Sequence, residues 1–247
     1  MFVLKNRNRP FLVFLHGWAG QWQSWRPIIE RLKYDFSILA PDLPGFGKNK
    51  LTGPFTISDY ADYISNLLKK ERISKAVVIG HSFGGAVAIK FAVNNSEKIS
   101  GLVLVDSPGI RQQNFRLKTK ILPAVLGKKL ILNSPLAKFF PRLRLLYYRL
   151  FGLTKSDYFA ALGNENLQKT LSLVLKENLY HDLPKIKTPT LIIWGEKDWE
   201  TPLFSGKKIK QLIKNSQLII FPNAGHFSYL DEQEKFCQEL SKFIDYL

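Results

Sequence analysis

The stretch Lys75-Ala-Val-Val-Ile-Gly80-His81-Ser82-Phe83-Gly84-Gly85-Ala-Val-Ala-Ile-Lys90 decides how the chain reads. Its apolar residues make a short buried strand. A Gly-x-Ser-x-Gly turn follows, and then a helix that opens on small residues. That order delivers Ser82 to a sharp turn, where its hydroxyl stands clear of the sheet. Gly80 and Gly84 flank it because a side chain at either place would collide as strand and helix close on each other. The five-residue pattern alone is weak, and its setting between strand and helix carries the inference.

A serine hydroxyl is a poor nucleophile until a base takes its proton, and a third group must hold that base in place. After an elbow of this kind the order along the chain is Ser, then Asp or Glu, then His. The histidines are His16, His81, His181 and His226. Of these, His181 and His226 follow Ser82 at a distance. His226 ends the run Ser216-Gln-Leu-Ile-Ile-Phe-Pro-Asn-Ala-Gly-His226, just past an apolar strand. His181 lies in a Lys- and Leu-rich helical stretch with no strand leading into it. His226 is therefore the candidate base.

The acid should also follow a strand. Thr188-Pro-Thr-Leu-Ile-Ile-Trp194-Gly195-Glu196-Lys197-Asp198 supplies a buried-strand run, a glycine and a turn that ends in Asp198. Glu196 and Glu200 are close rivals. Asp106, after Gly101-Leu-Val-Leu-Val-Asp106, is a second position, and its plain reading is a cap or turn residue ahead of Ser107-Pro108-Gly109. Asp198 is preferred, because the acid must reach the far nitrogen of the imidazole that faces Ser82.

The developing oxyanion needs backbone donors. One is the N–H of Phe83, the residue after the nucleophile. The other is expected from an early strand-to-helix loop, and Pro10-Phe-Leu-Val-Phe-Leu15-His16-Gly17-Trp18-Ala19-Gly20 fits. Trp18 N–H is the candidate donor, with Gly17 giving the backbone room to turn. Such a donor contributes about 3 kcal/mol to the transition state.

These motifs together resemble the α/β-hydrolase superfamily, in its compact cap-bearing branch of esterases, C–C bond hydrolases and cofactor-free haloperoxidase-like proteins. The matching residues are His16-Gly17-Trp18, Asp42-Leu-Pro-Gly45-Phe-Gly47, Gly80-His81-Ser82-Phe83-Gly84-Gly85, Trp194-Gly195-Glu-Lys-Asp198 and Gly225-His226. They span nearly the whole chain in the family's order. The resemblance implies a serine hydrolase with Ser82 as nucleophile, Asp198 as acid and His226 as base, and no particular substrate. The chain departs from the family at its start. Members usually open with a longer strand hairpin, whereas only Met1–Pro10 precede the first apolar strand here, leaving room for one short strand at Phe2–Leu4.

The fold class read from the sequence is α/β: a doubly wound, mostly parallel sheet with an inserted helical cap. Strands are predicted at Phe11–Leu15, Phe36–Ala40, Ala76–Ile79, Leu102–Val105, Thr190–Trp194 and Leu218–Phe221, as short apolar runs suited to a sheet covered on both faces. Helices are predicted at Trp22–Lys33, Ser58–Lys70, Gly85–Asn94, Leu203–Ile213 and Gln233–Tyr246, with Ser58 as the apparent cap of the second. The core domain is expected over 1–107 and 185–247, with the cap over 108–184. Asp42-Leu-Pro-Gly45-Phe-Gly47 is a structural turn that lines the site at most.

A chain of 247 residues with 45% hydrophobic content can fill a sizeable core. Its single cysteine, Cys237, allows no internal disulfide and belongs to an amphipathic terminal helix as packing. With no signal-peptide pattern, this favours a reducing, cytoplasmic location. No metal-ligand cluster or phosphate-cradling loop stands in the sequence, so a cofactor-independent reaction is expected.

Charge is lopsided. The formal net charge is +16, and Ile110 to Leu183 carries 13 Lys or Arg against 4 Asp or Glu, a net +9. Phe139-Phe-Pro-Arg142-Leu-Arg144-Leu-Leu-Tyr-Tyr-Arg149-Leu-Phe interleaves bases with large apolar groups. One reading is a solvated basic face over an apolar face packed on the core. The other is transient contact with an anionic membrane surface or an acidic substrate. Nucleic acid is disfavoured, because no recognition fold or stacking module accompanies the charge. The expected reaction is hydrolysis of a carboxylic ester or thioester. The rivals are C–C bond hydrolysis of a vinylogous diketone and non-catalytic binding of a small molecule. A serine at the elbow disfavours haloalkane dehalogenase and epoxide hydrolase chemistry, which need a carboxylate there.

Overall fold

The computed structural model describes residues 1–109 and 164–247. Among them, seven strands form one sheet: β1 (Phe2–Leu4), β2 (Phe11–Leu15), β3 (Ser37–Ala40), β4 (Ala76–His81), β5 (Ile99–Val105), β6 (Thr190–Gly195) and β7 (Ser216–Phe221). Their order across the sheet is β1-β3-β2-β4-β5-β6-β7. Every neighbouring pair is parallel except β1 with β3. The short N-terminal strand thus exists, pairing Phe2 with Ala40 at the sheet edge.

Alternation along each strand builds two cores. Val13, Leu15, Val78, Leu102, Leu104, Ile192 and Trp194 face one side. Leu12, Phe14, Val77, Ile79, Val103, Val105, Leu191 and Ile193 face the other. The first side is covered by α2 (Ile57–Lys70), α3 (Phe83–Asn94) and the buried residues of α5 (Leu203–Leu212). The second is covered by α1 (Arg26–Leu32), α6 (Ser228–Asp231) and α7 (Gln233–Tyr246). Strands apolar on both faces are what a sheet sandwiched between helix layers requires. Cys237 packs against the second core, and burial pushes its thiol up to about 11, so it acts as packing.

Two helix starts differ from expectation. The stretch predicted as one helix from Trp22 begins as a 3-10 turn over Trp22–Trp25, and α1 starts at Arg26. Pro27, in its first turn, has no N–H to join an α ladder begun earlier. The cap of α2 is Thr56 and not Ser58. Asp59 N–H donates to the Thr56 hydroxyl at 3.2 Å, and Thr56 N–H donates back to the Asp59 carboxylate at 2.7 Å. This reciprocal pair satisfies two end-of-helix donors at once, which Ser58 could not do with an alanine three residues on.

The expected cap over 108–184, including Arg142, Arg144 and Arg149, lies largely outside the described residues. Its described end carries α4 (Glu165–Lys176) and 3-10 turns at Leu179–His181 and Leu183–Lys185. His181 therefore sits in a 3-10 turn. This segment is seated on the core. Leu167, Leu179 and Leu183 join the first core, and Lys90 of α3 pairs with Asp182 at 2.5 Å and Glu177 at 3.3 Å. No helix among the described residues is long and apolar enough to cross a membrane.

The sheet fixes where chemistry can sit. From β2 the chain crosses to β3 on one side, and later to β4 on the other. This reversal opens a crevice at the carboxyl ends of the strands, the usual ligand position in open α/β sheets. Ser82 follows β4, Asp106 follows β5, Asp198 lies beyond β6 and His226 beyond β7, all at that edge.

Candidate active site

Ser82 sits between β4 and α3 at φ +48° and ψ −123°, a conformation that costs a non-glycine residue energy. Packing holds it there. A Cβ on Gly80 would overlap the Gly84 carbonyl, and one on Gly84 would overlap the Leu15 carbonyl of β2. Hydrogen bonds add to this: Ser82 N–H donates to Val105 O at 2.9 Å, and Gly85 N–H donates to Ser82 O at 2.8 Å. Phe83 is the first residue of α3. Its N–H belongs to the orphan donors at the positive end of a twelve-residue helix.

His226 brings its ring to this serine, with Nε2 3.0 Å from Ser82 Oγ. Its Nδ1 lies 2.9 Å from Asp198 Oδ2. A carboxylate only accepts, so Nδ1 carries the proton and Nε2 offers its lone pair to the serine hydroxyl. Asp198 is itself fixed. Oδ1 accepts from Glu200 N–H at 2.8 Å and Thr201 N–H at 2.9 Å, and Oδ2 lies 2.6 Å from the Thr201 hydroxyl. Burial opposes the charge on Asp198, but the bonds from His226 and Thr201 outweigh it and hold its carboxyl below the usual range. Burial also opposes protonation of His226. The hydrogen bond and charge of Asp198, then the charges of Glu200 and Asp106, outweigh that burial, and the ring titrates above its ordinary value.

The structure thus brings Ser82, Asp198 and His226 together and puts Asp198, and neither Glu200 nor Asp106, at His226 Nδ1. Glu200 places Oε2 3.5 Å from His226 Nε2, which is the nitrogen that faces the serine and not the one the acid must hold. The backbone N–H of Glu196 donates to Phe221 O. Asp106 is fully buried. Its side chain accepts from Gly195 and Ser228 and does not bond the ring. The plain turn reading of Asp106 also falls short, since its carboxylate spans two loops.

The early loop is braced by a histidine. Leu43 N–H donates to His16 Nε2 at 2.9 Å, and His16 Nδ1 lies 2.8 Å from Gly17 O. Those partners require a proton on Nδ1 and none on Nε2. Burial agrees, lowering His16 to about 4, so the ring stays neutral. Gly20 N–H donates to Gly17 O at 3.1 Å and closes the turn around Trp18. The Trp18 ring packs edge-on against Phe46 at 5.0 Å and Phe83 at 5.2 Å. The two residues named as oxyanion donors therefore touch each other across the crevice. Asp42 stays structural, accepting from Trp22 N–H at 3.0 Å and Lys48 N–H at 3.3 Å.

Sequence reasoning missed His81, Thr201 and Ser228. His81 Nε2 donates to the His226 carbonyl at 2.7 Å. Burial and the neighbouring His226 lower its pKa to about 3, so it is a neutral brace. A histidine inside a strand otherwise buried throughout was the available signal. Thr201 and Ser228 carried none, because a loop threonine and the first residue of the short helix Ser228–Asp231 look ordinary until their segments meet. Among the described residues no group of three or more His, Cys, Asp or Glu is placed to hold a metal ion.

The alpha/beta hydrolase fold family matches residues 10–233. The pimeloyl-[acyl-carrier protein] methyl ester esterase of Neisseria meningitidis is 27% identical over 239 residues, covering 94% of this chain and 91% of that one. A Bacillus subtilis protein of the AB hydrolase superfamily is 29% identical over 264 residues, covering 96% and 91%. Among solved structures, the enol-lactonase of Burkholderia xenovorans superposes with a TM-score of 0.75 at 19% identity, covering 99% of this chain and 95% of that one. With its sheet order, its elbow and this match over most of its length, the chain belongs to the α/β hydrolase fold family.

Proposed function

We propose that the protein is a cofactor-independent serine hydrolase of carboxylic esters or thioesters. One observation carries the reading: a single imidazole sits 3.0 Å from Ser82 Oγ and 2.9 Å from a buried aspartate, on a strand–turn–helix elbow. Ser82 Oγ attacks the acyl carbon while His226 Nε2 takes its proton. Asp198 stabilises the imidazolium that forms. The N–H groups of Trp18 and Phe83 receive the oxyanion. Collapse of this intermediate expels the leaving group, which takes the proton from Nε2. Water then attacks the acyl-enzyme with His226 as base, and the acid leaves. The relative named as a methyl ester esterase supports an ester over other acyl bonds.

The test is labelling by a fluorophosphonate probe together with turnover of p-nitrophenyl esters of graded chain length, a thioester and a meta-cleavage diketone. Ser82→Ala and His226→Ala should each abolish labelling and cost several powers of ten in turnover. The double variant should lose hardly more, because the group acts as a unit. Undiminished ester turnover in folded Ser82→Ala would overturn the assignment.

A further inference from the structure

Asp106 is a buried carboxylate that the acyl-transfer scheme leaves without a task. It stands one residue past β5 at φ +47°, a left-handed conformation that Asp and Asn tolerate better than most residues. One side-chain oxygen accepts from Gly195 N–H at 2.8 Å, at the end of β6. The other accepts from Ser228 N–H at 3.1 Å and the Ser228 hydroxyl at 2.6 Å, two residues past His226. Its backbone carbonyl lies 2.9 Å from the Thr201 hydroxyl, the same hydroxyl that touches Asp198 and lies 3.3 Å from His226 Nδ1. Its own N–H donates to Ile193 O at 3.1 Å. One residue therefore holds the chain just before Asp198, the chain just after His226, and the threonine between them. Three donors converge on its two oxygens. An ionised acid satisfies all three, whereas an amide must turn its own N–H groups on one side of the set.

We propose that Asp106 is a positioning residue whose carboxylate clamps the Gly195 and Ser228 segments to the end of β5 and so sets how Asp198 meets His226. The proposal rests on the acyl-transfer reading above. Its logic is geometric. Asp198 is three residues beyond Gly195, and His226 two before Ser228, so the clamp acts on both sides of one short hydrogen bond. A misplacement of about 1 Å at a reacting group costs on the order of a hundredfold in rate. Charge gives a second consequence. Among the described residues, the groups that face the His226 ring are Asp198 and Glu200 from the loop after β6, Asp106 from the end of β5, and the neutral His81 ring at 5.0 Å from β4. Burial lifts Asp106 to about 7 against the pull of its three donors, so it gains its charge as pH rises through neutrality, and that charge favours protonated His226. Removing that charge lowers the proton affinity of His226. The base works deprotonated, so the acid limb of kcat/KM moves to lower pH. A residue that served only folding would change thermal stability and leave that midpoint in place.

The experiment is Asp106→Asn in the full chain, a near-isostere that accepts the same backbone angles. We expect kcat on a soluble ester to fall roughly tenfold to a hundredfold. KM should stay within about threefold, because the residue is fully buried. The acid-limb midpoint should drop. Ser228→Ala removes one of the three donors and should move both readouts the same way by less. The double variant should cost no more than Asp106→Asn alone, since both changes break one contact. If Asp106→Asn does not fold, Ser228→Ala reads the same midpoint. The proposal is overturned if the folded variants keep kcat within about threefold with an unmoved midpoint. It is equally overturned if Asp106→Asn falls as far as Asp198→Asn, for then Asp106 is the acid itself. An active Ser82→Ala would remove the acyl-transfer reading and this inference together. An inactive Ser82→Ala beside a normal Asp106→Asn removes the inference alone.

Discussion

The two sides of the crevice are held by different forces. On the nucleophile side, Gly80, Gly84 and the carbonyl of Leu15 meet with no room for a methyl group, and Ser82 is held by contact. On the acid–base side, Asp198, Thr201 and His226 lie on loops and Ser228 opens a short helix, and hydrogen bonds between 2.6 and 3.1 Å join Asp198 to Thr201 and His226, and Ser228 to Asp106. Close packing is indifferent to pH and intolerant of volume. Hydrogen-bonded charge tolerates volume and responds to protonation. The nucleophile needs one fixed atom. In the proposed reaction the base changes charge during each turnover, and a hydrogen-bonded loop supplies groups that respond to it.

The largest expected effect breaks the acid–base side without touching the fold. Asp198→Asn keeps the shape of the side chain but can donate to Nδ1, which puts the ring proton on the nitrogen that must accept from Ser82. Turnover should fall by roughly 10⁴, with the melting temperature little changed. Steady-state kinetics beside thermal melting checks both halves. A nearly silent Asp198→Asn would show that the loops are held for some purpose other than orienting the base.

The next effect breaks the nucleophile side by volume. Gly84→Ala drives a Cβ into the Leu15 carbonyl, which belongs to a central strand and cannot yield without moving the sheet. Overpacking of this kind costs about 3 kcal/mol. For a chain of this length that is a fall of roughly 10 °C in melting temperature. Whatever activity survives should keep its pH midpoint, because no charge has changed. A variant that melts like the wild type would mean the elbow is looser than its contacts imply.

The same contrast explains what the sequence made legible. The elbow is local. Strand, turn and helix are contiguous, so Gly80, Ser82 and Gly84 announce themselves within one short stretch. Asp198 and His226 were readable because each follows an apolar strand, and because chain order restricts the choice. The sheet was readable for the same reason, as runs buried on both faces look alike wherever they occur. The clamps were not readable. Asp106 and Ser228 are far apart in the chain and meet only once β5 and β7 take their places on either side of β6. Thr201 gains its role from standing between two loops that no local pattern links. The start of α2 was misplaced for a related reason, since Thr56 and Ser58 are both adequate caps and a side chain three residues on decides between them.

The smallest effect sharpens the comparison, because it changes charge beside the ring while leaving its hydrogen bonds alone. Glu200 Oε2 lies 3.5 Å from His226 Nε2, and the side chain is 47% exposed. Burial lowers the pKa of His226, and the charge of Glu200 is among those that raise it, after the hydrogen bond and charge of Asp198. Protonated His226 cannot accept from Ser82, so activity rises as pH climbs through the raised value. Glu200→Gln removes one stabilising charge from the imidazolium, and the midpoint should move to lower pH. Solvent reaches the carboxylate, so screening keeps the shift below about one pH unit. Added salt should shrink the difference between wild type and variant, whereas it should leave the Gly84→Ala melting deficit in place. On the plateau above the midpoint the two proteins should turn over a neutral ester at similar rates. A midpoint that stays put, or moves upward, would mean that the charge of Glu200 does not reach the ring, and that burial, Asp198 and Asp106 set its basicity without it.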